Sequence, residues 1–141
     1  MKELINAKAI MIDNNYKLVV VKGGVVLFSS FDRGIKPVYD VYTSSPQILK
    51  DAYISDRVTG KAAAMILSKA GISGIYTELI SEQAVEIFYK KNIYVVYAKR
   101  VDHILNREKN GSCPIEKISK DLSSEDTAKL ISEIEIFLKS L

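Results

Sequence analysis

Scarcity is the first information in this 141-residue sequence: it has one cysteine, one histidine, three prolines and no tryptophan. A single cysteine, Cys113, excludes an intramolecular disulfide and fits a reducing compartment. No apolar run approaches the ~20 residues that span a bilayer. The stretch Met1–Asn14 carries Glu3 and Asp13 where a secretory signal would be uncharged, so a cytoplasmic protein without membrane contact is expected. A net charge of +3 is modest, and the basic residues are interleaved with acids. The nearest approach to a basic cluster is Lys90, Lys91, Lys99, Arg100 and Arg107, too scattered for a nucleic-acid footprint.

What is present is an ordinary globular composition, 48% hydrophobic and 26% charged, at a length that buries one core without staples. One domain over residues 1–141 is expected. Leu4, Ile5, Ala9 and Ile12 recur at helical spacing over Lys2–Asp13. Two β-branched runs, Lys17–Lys22 and Val25–Ser30, flank Gly23-Gly24, a pair able to take the positive φ angles of a tight hairpin. Phe31–Ser55 contains Gly34, Pro37, Pro46 and several serines. It reads as loop, with a short helix over Pro46–Lys50 capped by Ser45. An Ala-rich helix from Thr59 to Ala70 stops at Gly71.

Strand and helix then alternate: a strand over Gly74–Leu79, a helix over Ser81–Lys91, a strand over Ile93–Lys99. Two strands joined by a helix predict a parallel pair. A loop through Asn110-Gly111 leads to a short helix beginning at Pro114. The last helix, Ser124–Leu141, places Ala128, Ile131, Ile134, Leu138 and Leu141 on one side. Ser123 is its expected cap, with Glu125 and Asp126 in its first turn. The predicted architecture is α/β with a mixed central sheet and an N-terminal hairpin.

Several side chains can carry chemistry. Pro114 suits a first helical position, which puts Cys113 at a helix amino terminus, where a thiolate is favoured. Cys113 is therefore a candidate nucleophile, or else a small residue buried at a turn. Lys61 opens the Ala-rich helix, where a cation meets the wrong end of the dipole. Either an anionic ligand held by Thr59, Gly60 and the free N–H groups offsets it, or Asp56 does, by pairing or capping. A phosphate-binding P-loop is excluded, since that motif needs Gly at Ser55 and Ser or Thr at Ala62. Glu78, at the carboxyl end of a strand, is a candidate general base or an ion-pair partner. Ser81 lacks a nucleophile's glycine-flanked turn and reads as a helix cap. His103, alone in a connecting segment, is an ordinary polar residue rather than a catalyst.

Together, Lys17–Ser30, Gly34-Ile35-Lys36-Pro37, Asp56-Arg57-Val58-Thr59-Gly60-Lys61-Ala62-Ala63-Ala64, Tyr76-Thr77-Glu78-Leu79-Ile80-Ser81, and Asn106-Arg107 through Cys113-Pro114-Ile115-Glu116-Lys117 resemble the prokaryotic domain of unknown function 1893. That resemblance implies a cytidine deaminase-like, three-layer α/β/α fold. A zinc deaminase of that superfamily carries His-x-Glu opening one helix and Pro-Cys-x-x-Cys opening the next. The corresponding helix starts, Thr59–Ala63 and Ile80–Ala84, hold neither histidine nor cysteine. A catalytic zinc takes three protein ligands, so a zinc deaminase is excluded by inventory, and no metal or other cofactor is expected. The resemblance leaves a crevice that brings together Asp56, Lys61 and Glu78, with Thr59, Gly60 and Ser81 as further ligand contacts and Cys113 completing it. Its expected occupant is a small anionic or nucleotide-like molecule. The alternative is a non-catalytic module for metabolite sensing or protein contact. Superfamily relatives often oligomerise, which points to a homodimer, and eight tyrosines are available as interface anchors.

Overall fold

The computed structural model describes residues 2–105, 111 and 113–141. Asn110 of the expected loop, and Asn106 and Arg107 of the motif series, lie outside them. Helix α1 (Lys2–Asp13) precedes the hairpin of β1 (Leu18–Lys22) and β2 (Val25–Ser30). Its turn is made by Gly23 and Gly24 at φ 59° and 78°, the left-handed region that a two-residue hairpin of this twist requires. Helix α2 (Lys36–Ser44) and a single 3-10 turn at Pro46–Ile48 lead to β3 (Tyr53–Thr59). The chain continues through α3 (Lys61–Ala70), β4 (Gly74–Ser81), α4 (Glu82–Lys90), β5 (Tyr94–Val101), α5 (Pro114–Ser119) and α6 (Thr127–Lys139).

The five strands form one mixed sheet in the order β2-β1-β3-β4-β5. β1 is antiparallel to both β2 and β3, whereas β3, β4 and β5 run parallel, joined by α3 and α4. One face is covered by α1, whose Ala7 and Met11 pack against Val19, Val21 and Tyr76. The other face carries the main core, in which Val38 of α2, Met65 and Ile66 of α3, Phe88 of α4 and Leu130 of α6 meet Leu18, Ile54 and Ile75 of the sheet. The result is the expected three-layer α/β/α arrangement, with the hairpin at one edge of the sheet. Among the described residues, no helix is long and apolar enough to cross a membrane.

Five local expectations are corrected. In α1 the buried stripe is Leu4, Ala7 and Met11; Ile5 and Ile12 are 62% and 47% exposed, so the apolar seam runs one position away from the one drawn on Ile5, Ala9 and Ile12. The stretch expected as loop holds α2, because Pro37 in a first turn costs no hydrogen bond and Val38 and Val41 bury one face. It also holds β3, which was hidden because Ser55, Asp56 and Thr59 are polar yet buried. Finally, α3 starts at Lys61 rather than Thr59, and α6 at Thr127 rather than Ser124. Ser123 accepts from the Glu125 N–H in a turn before α6, and Asp126 takes the cap position without a side-chain bond.

The register of α1 is tested by two neighbouring truncations. Met11 is fully buried, and its sulfur accepts from the Ser55 hydroxyl at 3.3 Å. Met11→Ala is expected to lower unfolding stability by about 2–5 kcal/mol, and Ile12→Ala by under about 1 kcal/mol, in urea titrations.

Candidate functional site

The site is built where β3 hands over to α3. Burying a carboxyl requires partners, and Asp56, 7% exposed, has them: its Oδ1 accepts the Arg57 N–H at 2.8 Å, and its Oδ2 lies 2.9 Å from Thr59 Oγ1. Thr59 Oγ1 in turn lies 2.9 Å from Thr77 Oγ1 on β4, and the Thr77 hydroxyl is 3.0 Å from the Leu79 carbonyl. Burial pushes the Asp56 carboxyl up to about 7, against the opposing bonds from Thr59 and from the backbone N–H groups of Arg57 and Val58.

Asp56 opens onto a cleft of about 460 Å³, counting its mouth. Its walls are Ile35 and Val38 from the α2 side, Ala62 and Ala63 of α3, Ile104 from beyond β5 and Ile115 of α5. Gly60, Glu116 and Cys113 also line it. Cys113 is a half-buried free thiol at the cap of α5, and its N–H donates to the Ile104 carbonyl at 3.1 Å.

Glu116, which the sequence did not single out, answers the question posed by Lys61. Its Oε1 accepts the Lys61 backbone N–H at 3.3 Å, so a carboxylate of this chain occupies the amino terminus of α3. Gly60 allows the approach: a Cβ there would collide with the Glu116 carboxylate. Burial raises the Glu116 carboxyl, with the Lys61 N–H, His103 and the Lys61 ammonium acting the other way. The Lys61 side chain reaches past α5, its Nζ donating to the carbonyls of Leu122 at 2.6 Å and Lys120 at 3.3 Å. Of the two alternatives drawn from the sequence, an anionic ligand or Asp56, neither offsets the helix start here; Glu116 does.

Of the residues expected together, Asp56, Gly60 and Cys113 share the cleft. Thr59 stands behind Asp56, fully buried. Glu78 is turned away: Arg57 Nη1 meets its Oε2 at 2.7 Å, while Arg57 Nε and Nη2 donate to the carbonyls of Tyr16 and Met11 on the α1 face. The strand alternation that aims Asp56 at α3 aims Arg57 and Glu78 at the opposite layer. Ser81 is the cap of α4, its hydroxyl accepting the Ala84 N–H at 3.2 Å.

A family model described as a domain of unknown function, DUF1893, matches residues 6–138. This chain belongs to the DUF1893 family. A solved structure of another DUF1893 family protein, TM1506 from Thermotoga maritima, superimposes with a TM-score of 0.84 at 25% identity. That match covers 99% of this chain and 90% of the other. No curated protein matches the sequence.

The pH dependence of stability reports on Asp56. Its carboxyl is raised from 3.8 to about 7, so the native state holds the proton more tightly than the unfolded chain does. The stabilising contribution is complete below about pH 4 and is lost as pH rises through about 7. Asp56→Asn keeps the size of the side chain and an acceptor for the Arg57 N–H without titrating. Its stability relative to the parent protein, from urea unfolding, is expected to improve by about 2–3 kcal/mol between pH 5 and pH 8.

Proposed function

We propose that this DUF1893 chain is a zinc-free, cytidine deaminase-like module that binds a small nucleobase-like molecule in the Asp56 cleft. Its position supports the reading, since ligand crevices of open α/β sheets form beyond the carboxyl ends of parallel strands. So does its chemistry: apolar walls sized for a single ring, with two carboxyls among them, suit a flat ligand bearing hydrogen-bond donors. The observation that carries it furthest is the Glu116–Lys61 exchange. The helix terminus that would hold phosphate is taken by Glu116, and the ammonium that would neutralise it is bound to Leu122 and Lys120. The anionic half of the expected ligand is therefore given up in favour of an uncharged or basic ring.

Cys113 favours a second, catalytic reading, because the thiol lines the same cleft as a carboxyl able to exchange a proton. In that case Cys113 is the nucleophile and Asp56 the proton carrier. In the non-catalytic case the thiol is only a wall.

Binding of cytosine, uracil and adenine, and of the corresponding nucleoside monophosphates, is the test, read by chemical-shift changes of Ala63 and Ile104. One or more free bases are expected to bind, with the monophosphates weaker by about tenfold, roughly 1.4 kcal/mol. Ala63→Leu, which fills the cleft, is expected to abolish binding, at a stability cost of about 1–3 kcal/mol for enlarging a buried side chain. Tight binding of the monophosphates alone would show that phosphate displaces Glu116 and would overturn the reading. Alkylation of Cys113 by iodoacetamide, slowed by a bound base, places the thiol against the ligand; an alkylation rate that no base alters removes the catalytic reading.

A further inference from the structure

A proton count singles out one group. Four oxygens stand in line, Asp56 Oδ2, Thr59 Oγ1, Thr77 Oγ1 and the Leu79 carbonyl, separated by 2.9, 2.9 and 3.0 Å. Each of the three gaps is a hydrogen-bond distance and needs one proton. The two threonine hydroxyls supply two, and the Leu79 carbonyl is an acceptor only. The third comes from the Asp56 carboxyl itself. With Asp56 neutral, its O–H donates to Thr59, Thr59 donates to Thr77, and Thr77 donates to Leu79. With Asp56 ionised, Thr59 turns back to the carboxylate, and one of the two remaining contacts goes without a proton.

We infer that Asp56 is the proton-exchanging acid of the cleft, protonated in the free protein and ionised when the cationic group of a small, ring-sized organic base docks beside it. This rests on the binding reading above and names the class of ligand. Among the described residues no lysine or arginine lines the cleft, so among them an ionised Asp56 has no cation to face there. Arg57, its chain neighbour, is held on the other face by Glu78 and Tyr16. Lys61 of α3 is directed to Leu122, α2 contributes apolar side chains, and the groups facing the cleft from the α5 side are Glu116 and Cys113, with His103 acting on Glu116. A docked cation is thus the partner that an ionised Asp56 lacks among the described residues. The upward displacement of the Asp56 carboxyl agrees with the proton count.

The exchange balances in either form. If the base arrives already protonated, the Asp56 O–H bond breaks and its proton leaves to water. If it arrives neutral, that proton passes to the ligand nitrogen, forming an N–H bond and leaving the same carboxylate–cation pair. In both cases the Thr59 proton swings from Thr77 to Asp56.

Two measurements on the intact chain test it, using aspartate labelled with carbon-13 at the carboxyl and benzamidine as a cationic probe, with benzoate as its anionic counterpart. In the free protein the Asp56 carboxyl resonance is expected to titrate near neutral pH. Thr59→Val, which removes a donor to the carboxylate, raises that midpoint. Thr77→Val, which frees the Thr59 proton for Asp56, lowers it. Benzamidine is expected to bind better than benzoate, to shift Asp56 to its ionised resonance, and to gain affinity about tenfold or more between pH 5.5 and 8.5. An Asp56 midpoint near the ordinary ~4, or shifts of the same sign in the two valine variants, overturns the proton exchange even if free bases bind. A near-neutral midpoint with cytosine bound but benzamidine excluded overturns the ligand class and leaves the binding reading standing. Exclusion of both probes overturns the two together.

Discussion

A carboxyl buried at the end of β3 is the constraint from which the rest of the site follows. Asp56 cannot be stripped of water without replacements, and the fold supplies them from three directions: the turn of its own backbone, the Thr59 hydroxyl at the last position of β3, and through Thr59 the Thr77 hydroxyl of β4. These bonds tie the carboxyl ends of the two parallel strands together at the point where the chain leaves for α3. Across the sheet, Arg57 and Glu78 make the corresponding tie beneath α1. One strand segment therefore binds both layers, and it does so with polar side chains where a parallel strand is ordinarily apolar.

The second constraint is electrostatic. Helix α3 presents free N–H groups at its start, and the carbonyls after α5 present the opposite charge. The chain satisfies both internally, sending the Glu116 carboxylate to the Lys61 N–H and the Lys61 ammonium to the Leu122 and Lys120 carbonyls. This reciprocal exchange fixes α5 against α3 and thereby makes the third wall of the cleft. It also changes the meaning of the site: a helix terminus that would receive an anion is occupied, and what remains is an apolar cleft whose ionisable lining, among the described residues, is two acids and a thiol.

Much of the framework was legible because it rests on local chemistry. Gly23-Gly24 specifies its hairpin, Gly71 ends α3, Ser81 caps α4, and Pro114 starts α5, each through bonds within a few residues. The elements missed were those whose residue types contradict their setting. β3 carries Ser55, Asp56 and Thr59 into the interior because partners from α1 and β4 await them, and no periodicity discloses a partner that is distant in sequence. The candidate site divides in the same way. Asp56, Gly60 and Cys113 were recognisable as unusual residues at element ends. Glu116 was not, because an acid in the first turn of a short helix reads as a dipole complement to its own helix, whereas it serves one that starts 55 residues earlier. Glu78 was assigned to the wrong layer because the missed strand hid the alternation that pairs it with Arg57.

Three protons decide the state of the Asp56 cleft, and neutron diffraction from a deuterated crystal grown at about pH 5 would see them directly. It is predicted to show a deuteron on Asp56 Oδ2 directed at Thr59, the Thr59 deuteron directed at Thr77, and the Thr77 deuteron directed at the Leu79 carbonyl. A bare Asp56 carboxylate at that pH, with the Thr59 deuteron pointing back toward it, would contradict the account.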